Sequence, residues 1–178
     1  IKDENSSYFY PNLLEKFKNN DTTLTIMDYR FLYYGYAKQH SYKPYGTSKH
    51  AEEIQKILFN KELKNDDYLL LEEKIAMSLT DDPFDLKMIV RLINVYKYLK
   101  KEDLAEKLIY KHNMLIDTIL GSGDGLSCET AFQVINVSDE YVILNVFGFQ
   151  SKSQAMIDGT CDFLTLEDPN KEIGIDGI

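Results

Sequence analysis

A handful of residue groups in this chain have the types and spacing to carry chemistry. Residues 121–127, GSGDGLS, set glycines around Asp124 and two serines. They lack the closing Gly-Lys-Ser/Thr of a phosphate loop. They also follow an expected helix and precede an expected strand, the wrong order for a dinucleotide site. Asp124 with Ser122 and Ser127 offers oxygens to Ca²⁺, but the ligand series of a hand-type loop is missing. We read the stretch as a turn whose glycines take positive φ. His40, His50 and His112 fall in no HxxxH or HExxH spacing. His50 and Glu53, three apart on one expected helix, are the nearest approach to a metal pair; solvated side chains account for all three histidines. Cys128 and Cys161 have no His beside them, which leaves a thiol nucleophile without a base. They are either two small apolar side chains or, in an oxidising compartment, a disulfide. Ser151 and Ser153 lack a nucleophile-elbow pattern. Asp158, Asp162, Glu167, Asp168, Glu172 and Asp176 are the carboxylates of an acidic C-terminal run. Paired carboxylates do acid–base work in glycosidases, but at strand ends and turns solvated carboxylates are ordinary. We assign no catalytic residue, no metal site and no cofactor from these patterns.

The tyrosines are the most unusual feature. Eight of the 13 fall between Tyr8 and Tyr45, while the chain has no Trp. Tyr29, Tyr33 and Tyr36 share a helical face, with Tyr34 to one side. Gly35 interrupts that helix at a cost of about 1 kcal/mol relative to Ala, a position that usually admits another segment at close range. Tyrosine offers area and a polar tip and is favoured at binding surfaces. Two readings stay open: a Tyr-rich core with hydroxyls at the solvent edge, or a partner surface made of Tyr29, Tyr33, Tyr34, Tyr36, Tyr42 and Tyr45.

The elements that must position these residues follow from periodicity. Apolar residues make up 44% of 178 residues, enough for one core or for one and a small second. Leu13, Leu14 and Phe17 predict a short helix after Pro11. Asp21-Thr22-Thr23 predicts the start of a longer one, running to about Gln39. HSYKPYGTS reads as a loop, with Thr47 or Ser48 capping the next helix. Asn65, Asp66 and Asp67 offer caps for a helix whose Leu71, Ile75 and Leu79 share one face. Pro83 lies near the first turn of another, striped by Leu86, Ile89, Ile93 and Tyr96. Leu104, Leu108, Leu115 and Ile119 stripe the last. Short breaks make these antiparallel helical hairpins. Two of them fit a 34-residue tetratricopeptide frame loosely, with Leu92, Ile93, Tyr96, Ala105 and Ile109 near its marked positions; generic amphipathic hairpins fit as well.

Past Leu120 the texture changes. TAFQVINV, EYVILNVFGF and CDFLTLED read as strands, with a hairpin turn at Ser138-Asp139 and a short helix at KSQAMIDG. The expected fold is α+β: a helical-hairpin domain over 1–120, then a small β or α+β unit over 121–178 packed on the last helix. Charge changes at the same place. Residues 1–120 hold 18 basic and 19 acidic side chains, whereas residues 121–178 hold Lys152 and Lys171 against ten acids. A net charge of −8 in that part repels polyanions, which excludes nucleic acid as its partner. No stretch approaches the roughly 20 apolar residues of a membrane-spanning helix. The opening IKDENSSYFY is neither an initiator Met nor a signal peptide, and we expect a removed signal or a trimmed start. The ending EIGIDGI reads as the start of a strand in a chain that continues.

YYGYAKQHSYKPYG (33–46) and GSGDGLSCETAFQVI (121–135), in that order, give the chain a resemblance to the domain-of-unknown-function family 4919. The resemblance covers most of the chain. It implies a tetratricopeptide-like helical part and no assigned activity, ligand or catalytic residue. It also implies an exported bacterial protein, in which a Cys128–Cys161 disulfide becomes plausible. Two functions are therefore expected. One is a non-catalytic binding or scaffold module of the bacterial envelope, with a protein or peptide as partner and the tyrosine face or YKPYG loop as its surface. The alternative is an enzyme whose site lies between the helical and β parts, drawing on Tyr34, His40, Asp124 and Asp162.

Overall fold

Each helix forms where an apolar stripe at three- and four-residue spacing can be buried. The computed structural model describes residues 3–43, 48–60, 62–157, 159, 161–170 and 175–178. The architecture is α+β: among the described residues, seven α-helices precede an antiparallel sheet. The chain divides into two compact units, Ile1–Leu115 and Ile116–Ile178.

The first unit is helical: α1 (Tyr10–Lys18), α2 (Ile26–Tyr36), α3 (Ala51–Leu58), α4 (Asn65–Asp81), α5 (Leu86–Tyr98) and most of α6 (Glu102–Leu120). Pro11 occupies the first turn of α1, where its missing N–H costs nothing. The start of α2 differs from expectation. Asp21 folds back on the Thr23 N–H at 2.9 Å, and Thr25 is the cap. Its hydroxyl accepts from the Asp28 N–H while the Asp28 carboxylate takes the Thr25 N–H at 2.8 Å, a reciprocal capping box. The helix ends at Tyr36, short of the expected Gln39. Asp67 takes the Lys64 N–H at 2.8 Å to start α4, and Asp85 takes the Met88 N–H at 3.0 Å to start α5. Pro83 lies in the turn before α5, not in its first turn.

The helices pair in sequence order, α1 with α2, α3 with α4 and α4 with α5. One cluster buries Ile54 of α3, Leu71 and Ile75 of α4, and Met88, Leu92 and Val95 of α5, with Leu108 of α6 packed against it. A second core is aromatic and is built on Phe84, which is fully buried. Its ring lies 5.1 Å from Phe17, 5.3 Å from Tyr36 and 6.4 Å from Tyr33. Gly35 faces Tyr10: a Cβ there would stand 3.0 Å from the Tyr10 ring. Ion pairs tie the outer faces, with Lys101 Nζ 2.6 Å from Glu72 and Lys74 Nζ 3.2 Å from Glu53.

The second unit corrects two expectations. Of the two strands expected around Ser138-Asp139, TAFQVINV forms none: Thr130 ends a 3₁₀ turn and residues 131–136 are irregular, while Ser138-Asp139 and most of EYVILNVFGF fall in helix α7 (Val137–Val146). Asn136 precedes it, Asp139 and Glu140 stand in its first turn, and Asp139, Ile143 and Leu144 are its buried face. That spacing is helical although Val137, Val142, Ile143 and Val146 are β-branched; packing overrides propensity. The stretch read as a helix is β1 (Ser151–Ile157). It pairs antiparallel with β2 (Cys161–Asn170), which pairs with β3 (Ile175–Gly177). β1 is exposed along nearly its whole length, so neither of its faces carries an apolar signal. Leu164 and Leu166 alternate inward from β2 and pack with Leu144 of α7. Cys128, in a 3₁₀ turn (Cys128–Thr130), and Cys161 at the start of β2 are joined by a disulfide with Cα atoms 5.7 Å apart.

Two variants check this packing. Gly35→Leu should destabilise the helical unit by about 1–3 kcal/mol, since the Tyr10 ring must move; thermal unfolding unchanged from wild type would contradict it. Replacing both cysteines by Ser should lower the stability of the C-terminal unit by about 3–4 kcal/mol, the chain-entropy value for a loop of this length. Denaturant titrations of the two proteins give the comparison, and a loss below about 1 kcal/mol would mean that the bond constrains little.

Candidate functional site

The tyrosine cluster belongs to the core. Tyr29, Tyr33 and Tyr36 are 1%, 0% and 4% exposed, because the face of α2 that carries them covers α1 and Phe84. They form no free surface. Tyr29 packs edge-on to Phe17 at 5.8 Å. The Tyr36 hydroxyl donates to the Asp81 carbonyl at 3.2 Å, and burial, with Asp82 nearby, pushes it up to about 12. Tyr34 and Tyr42 are half-buried, edge-on to Tyr33 at 5.1 Å and to Tyr36 at 5.8 Å. Tyr45 lies outside the described residues.

The other sequence candidates are dispersed. His40 is exposed. His50 is buried, its Nδ1 3.9 Å from Glu53, and Glu53 also pairs with Lys74. Burial holds His112 below the usual imidazole range. Among the described residues, no three His, Cys, Asp or Glu side chains gather as a metal site. The GSGDG loop satisfies itself. The Asp124 carboxylate accepts from the Thr130 hydroxyl at 2.6 Å and the Leu126 N–H at 3.0 Å, contacts that hold it below the usual carboxylate range. Gly123 lies against the Thr130 and Ala131 backbone with no room for a Cβ. Asp158 and Glu172 lie outside the described residues.

Two arrangements were not expected from sequence. The first is a groove of about 320 Å³ in the helical unit. Phe17 and Lys18 of α1 and Ala76, Leu79 and Thr80 of α4 line one part of it. Pro83, Ile89 and Leu92 line another, and Leu108 and Lys111 of α6 complete it. Ala76, Thr80 and Lys18 are exposed at its rim. Lys111 is only 7% exposed, with Nζ 4.4 Å from the centre of the Phe17 ring. Burial pulls its ammonium down to about 8. The sequence did carry a signal for it: Lys111 falls between Leu108 and Leu115 on the apolar stripe of α6, where a cation is out of place. Among the described residues, no carboxylate, imidazole or thiol lines the groove.

The second arrangement is a carboxyl pair in the C-terminal unit. Burial, then the neighbouring Asp162 carboxylate and its hydrogen bond, push Glu140 up to about 7. Gln154 Nε2 donates to Glu140 Oε2 at 3.1 Å and accepts from the Tyr141 hydroxyl at 2.7 Å. Between the ordinary value of 4.5 and about 7, folded Glu140 holds a proton that the unfolded chain has released. Its contribution is full below that window and is lost as pH rises through it. Thermal midpoints between pH 4.5 and 7.5 should therefore fall more steeply in wild type than in Glu140→Gln; parallel profiles would contradict the raised Glu140 carboxyl.

No helix among the described residues is long and apolar enough to cross a membrane. Searches of curated proteins and of solved structures return no match to the chain. The helical pairs, the closed GSGDG loop and the small sheet are thus features to read within one family: the model for the domain of unknown function DUF4919 matches residues 1–178, and the chain belongs to it.

Proposed function

We propose that this chain is a non-catalytic binding module whose helical unit holds a protein or peptide segment in the Phe17–Lys111 groove. The observation that carries this reading is the lining. Apolar walls open at an exposed rim, beside a buried ammonium and without the paired acid and base that bond-making requires. Paired helices that leave a groove between them are a recurring mode of segment recognition. The volume stands near the lower end of the range for ligand sites, roughly 300–1,000 Å³, which suits one or two side chains. We further propose an envelope setting in a bacterium; the Cys128–Cys161 disulfide supports an oxidising compartment.

A second reading, an enzyme, draws on one observation. Glu140, near 7 beside Asp162, has the properties of an acid–base group. Its half-buried place and its bond to Gln154 also suit a structural pair.

Ala76→Trp fills the groove from an exposed position and leaves the core alone. Selection from a random peptide library should enrich clones on wild type that Ala76→Trp does not retain, with the two proteins melting alike. Equal recovery on both would sink the groove as the binding site.

A further inference from the structure

We propose that the segment held in this groove is acidic, with one carboxylate seated on Lys111 and an adjacent apolar side chain resting on Phe17 and Leu92. This inference rests on the binding reading above.

Three observations on the groove converge. Among the described residues its only charged lining residues are cations, Lys18 at the rim and Lys111 inside. The Lys111 side chain is buried, yet among the described residues its ammonium makes no ion pair or hydrogen bond; its one polar contact is the face of Phe17. The acids beside Thr80 and Pro83 are engaged elsewhere: Asp81 pairs with Lys49 at 3.5 Å, Asp82 holds the Phe84 N–H, and Asp85 caps α5.

A desolvated ammonium without a counter-ion is costly. An aromatic face offsets part of that cost. A carboxylate brought into the same low-dielectric space offsets more, because the attraction grows as water is excluded. A neutral segment would leave the ammonium as it is, and a basic one would meet two like charges. The Thr80 hydroxyl already donates to the Ala76 carbonyl at 3.0 Å, so Lys111 is the strong donor that remains inside. The walls beside it accept an aliphatic or aromatic neighbour, so the preferred segment alternates acid and bulky apolar residues.

The clones that depend on an open groove supply the test. Their sequences should share Asp or Glu next to a bulky apolar residue. In a synthetic peptide of the commonest sequence, Glu→Gln or Asp→Asn should weaken binding to wild type roughly tenfold, the scale of one charge-assisted hydrogen bond. On Lys111→Met, which keeps the apolar volume and should fold at least as well, the acidic peptide and its amide should bind alike. Lys111→Arg should restore the preference. Groove-dependent clones without an acid, or an acid preference that survives in Lys111→Met, would overturn this inference and leave the binding reading standing. An absence of groove-dependent clones would end both.

Discussion

The helical unit depends on one ring in an unexpected place. Phe84 sits in the turn between α4 and α5, where chain connections ordinarily face water, yet it is fully buried among Phe17, Tyr33 and Tyr36. The turn is fixed on every side. Asp82 accepts the Phe84 N–H at 3.1 Å, Tyr36 donates to the Asp81 carbonyl, and Asp85 starts α5. Burial pushes Asp82 up to about 6, the cost of bringing a carboxylate in with the ring. One turn thus joins the α1–α2 pair to the α4–α5 pair, and the tyrosines of α2 exist to receive it.

The groove is a consequence of that core. Phe17 packs against Phe84 and Tyr29, and it also carries Lys111 on its ring. The ring that closes the aromatic core therefore also forms a wall of the groove. An alkyl stem packed on apolar neighbours with its ammonium toward an opening is a common way to bury lysine. Here the ammonium shares the groove lining with Leu79, Leu92 and Leu108, and its burial pulls it below the ordinary ammonium range.

Periodicity made much of this legible. The helix stripes were readable because one face of each helix is buried: Leu71, Ile75, Leu86, Ile89, Ile93, Leu115 and Ile119 are all core residues, although Leu104 at the start of the last stripe is exposed. Gly35 was readable as a close approach, and Tyr10 is what approaches it. The family resemblance rests on the same chain that the family model covers. What failed did so for physical reasons. α7 hid behind β-branched residues, and β1 has no buried face to alternate. The tyrosines drew attention by type, but their exposure depends on Phe84, a turn residue whose partners lie far away in sequence. Lys111 breaks the apolar stripe of α6, but only the Phe17 ring beneath its ammonium gives the break a meaning.

The two units hold themselves together differently, and this bears on where function can reside. The C-terminal unit lies below the roughly 70–80 residues at which one core is ample. Its clustered core is Leu144, Leu164 and Leu166, with Phe149 and Ile178 packed against them. The disulfide supplements that core, and Glu140 weighs against it once ionised; both depend on surroundings, one on redox conditions and the other on pH. The helical unit carries two interlocked cores and needs no such aid. A recognition groove must keep its shape to within a side chain, because a poorly ordered wall adds an entropic cost to every binding event. That requirement favours the unit whose walls are braced by Phe84 over the one whose stability shifts with its environment.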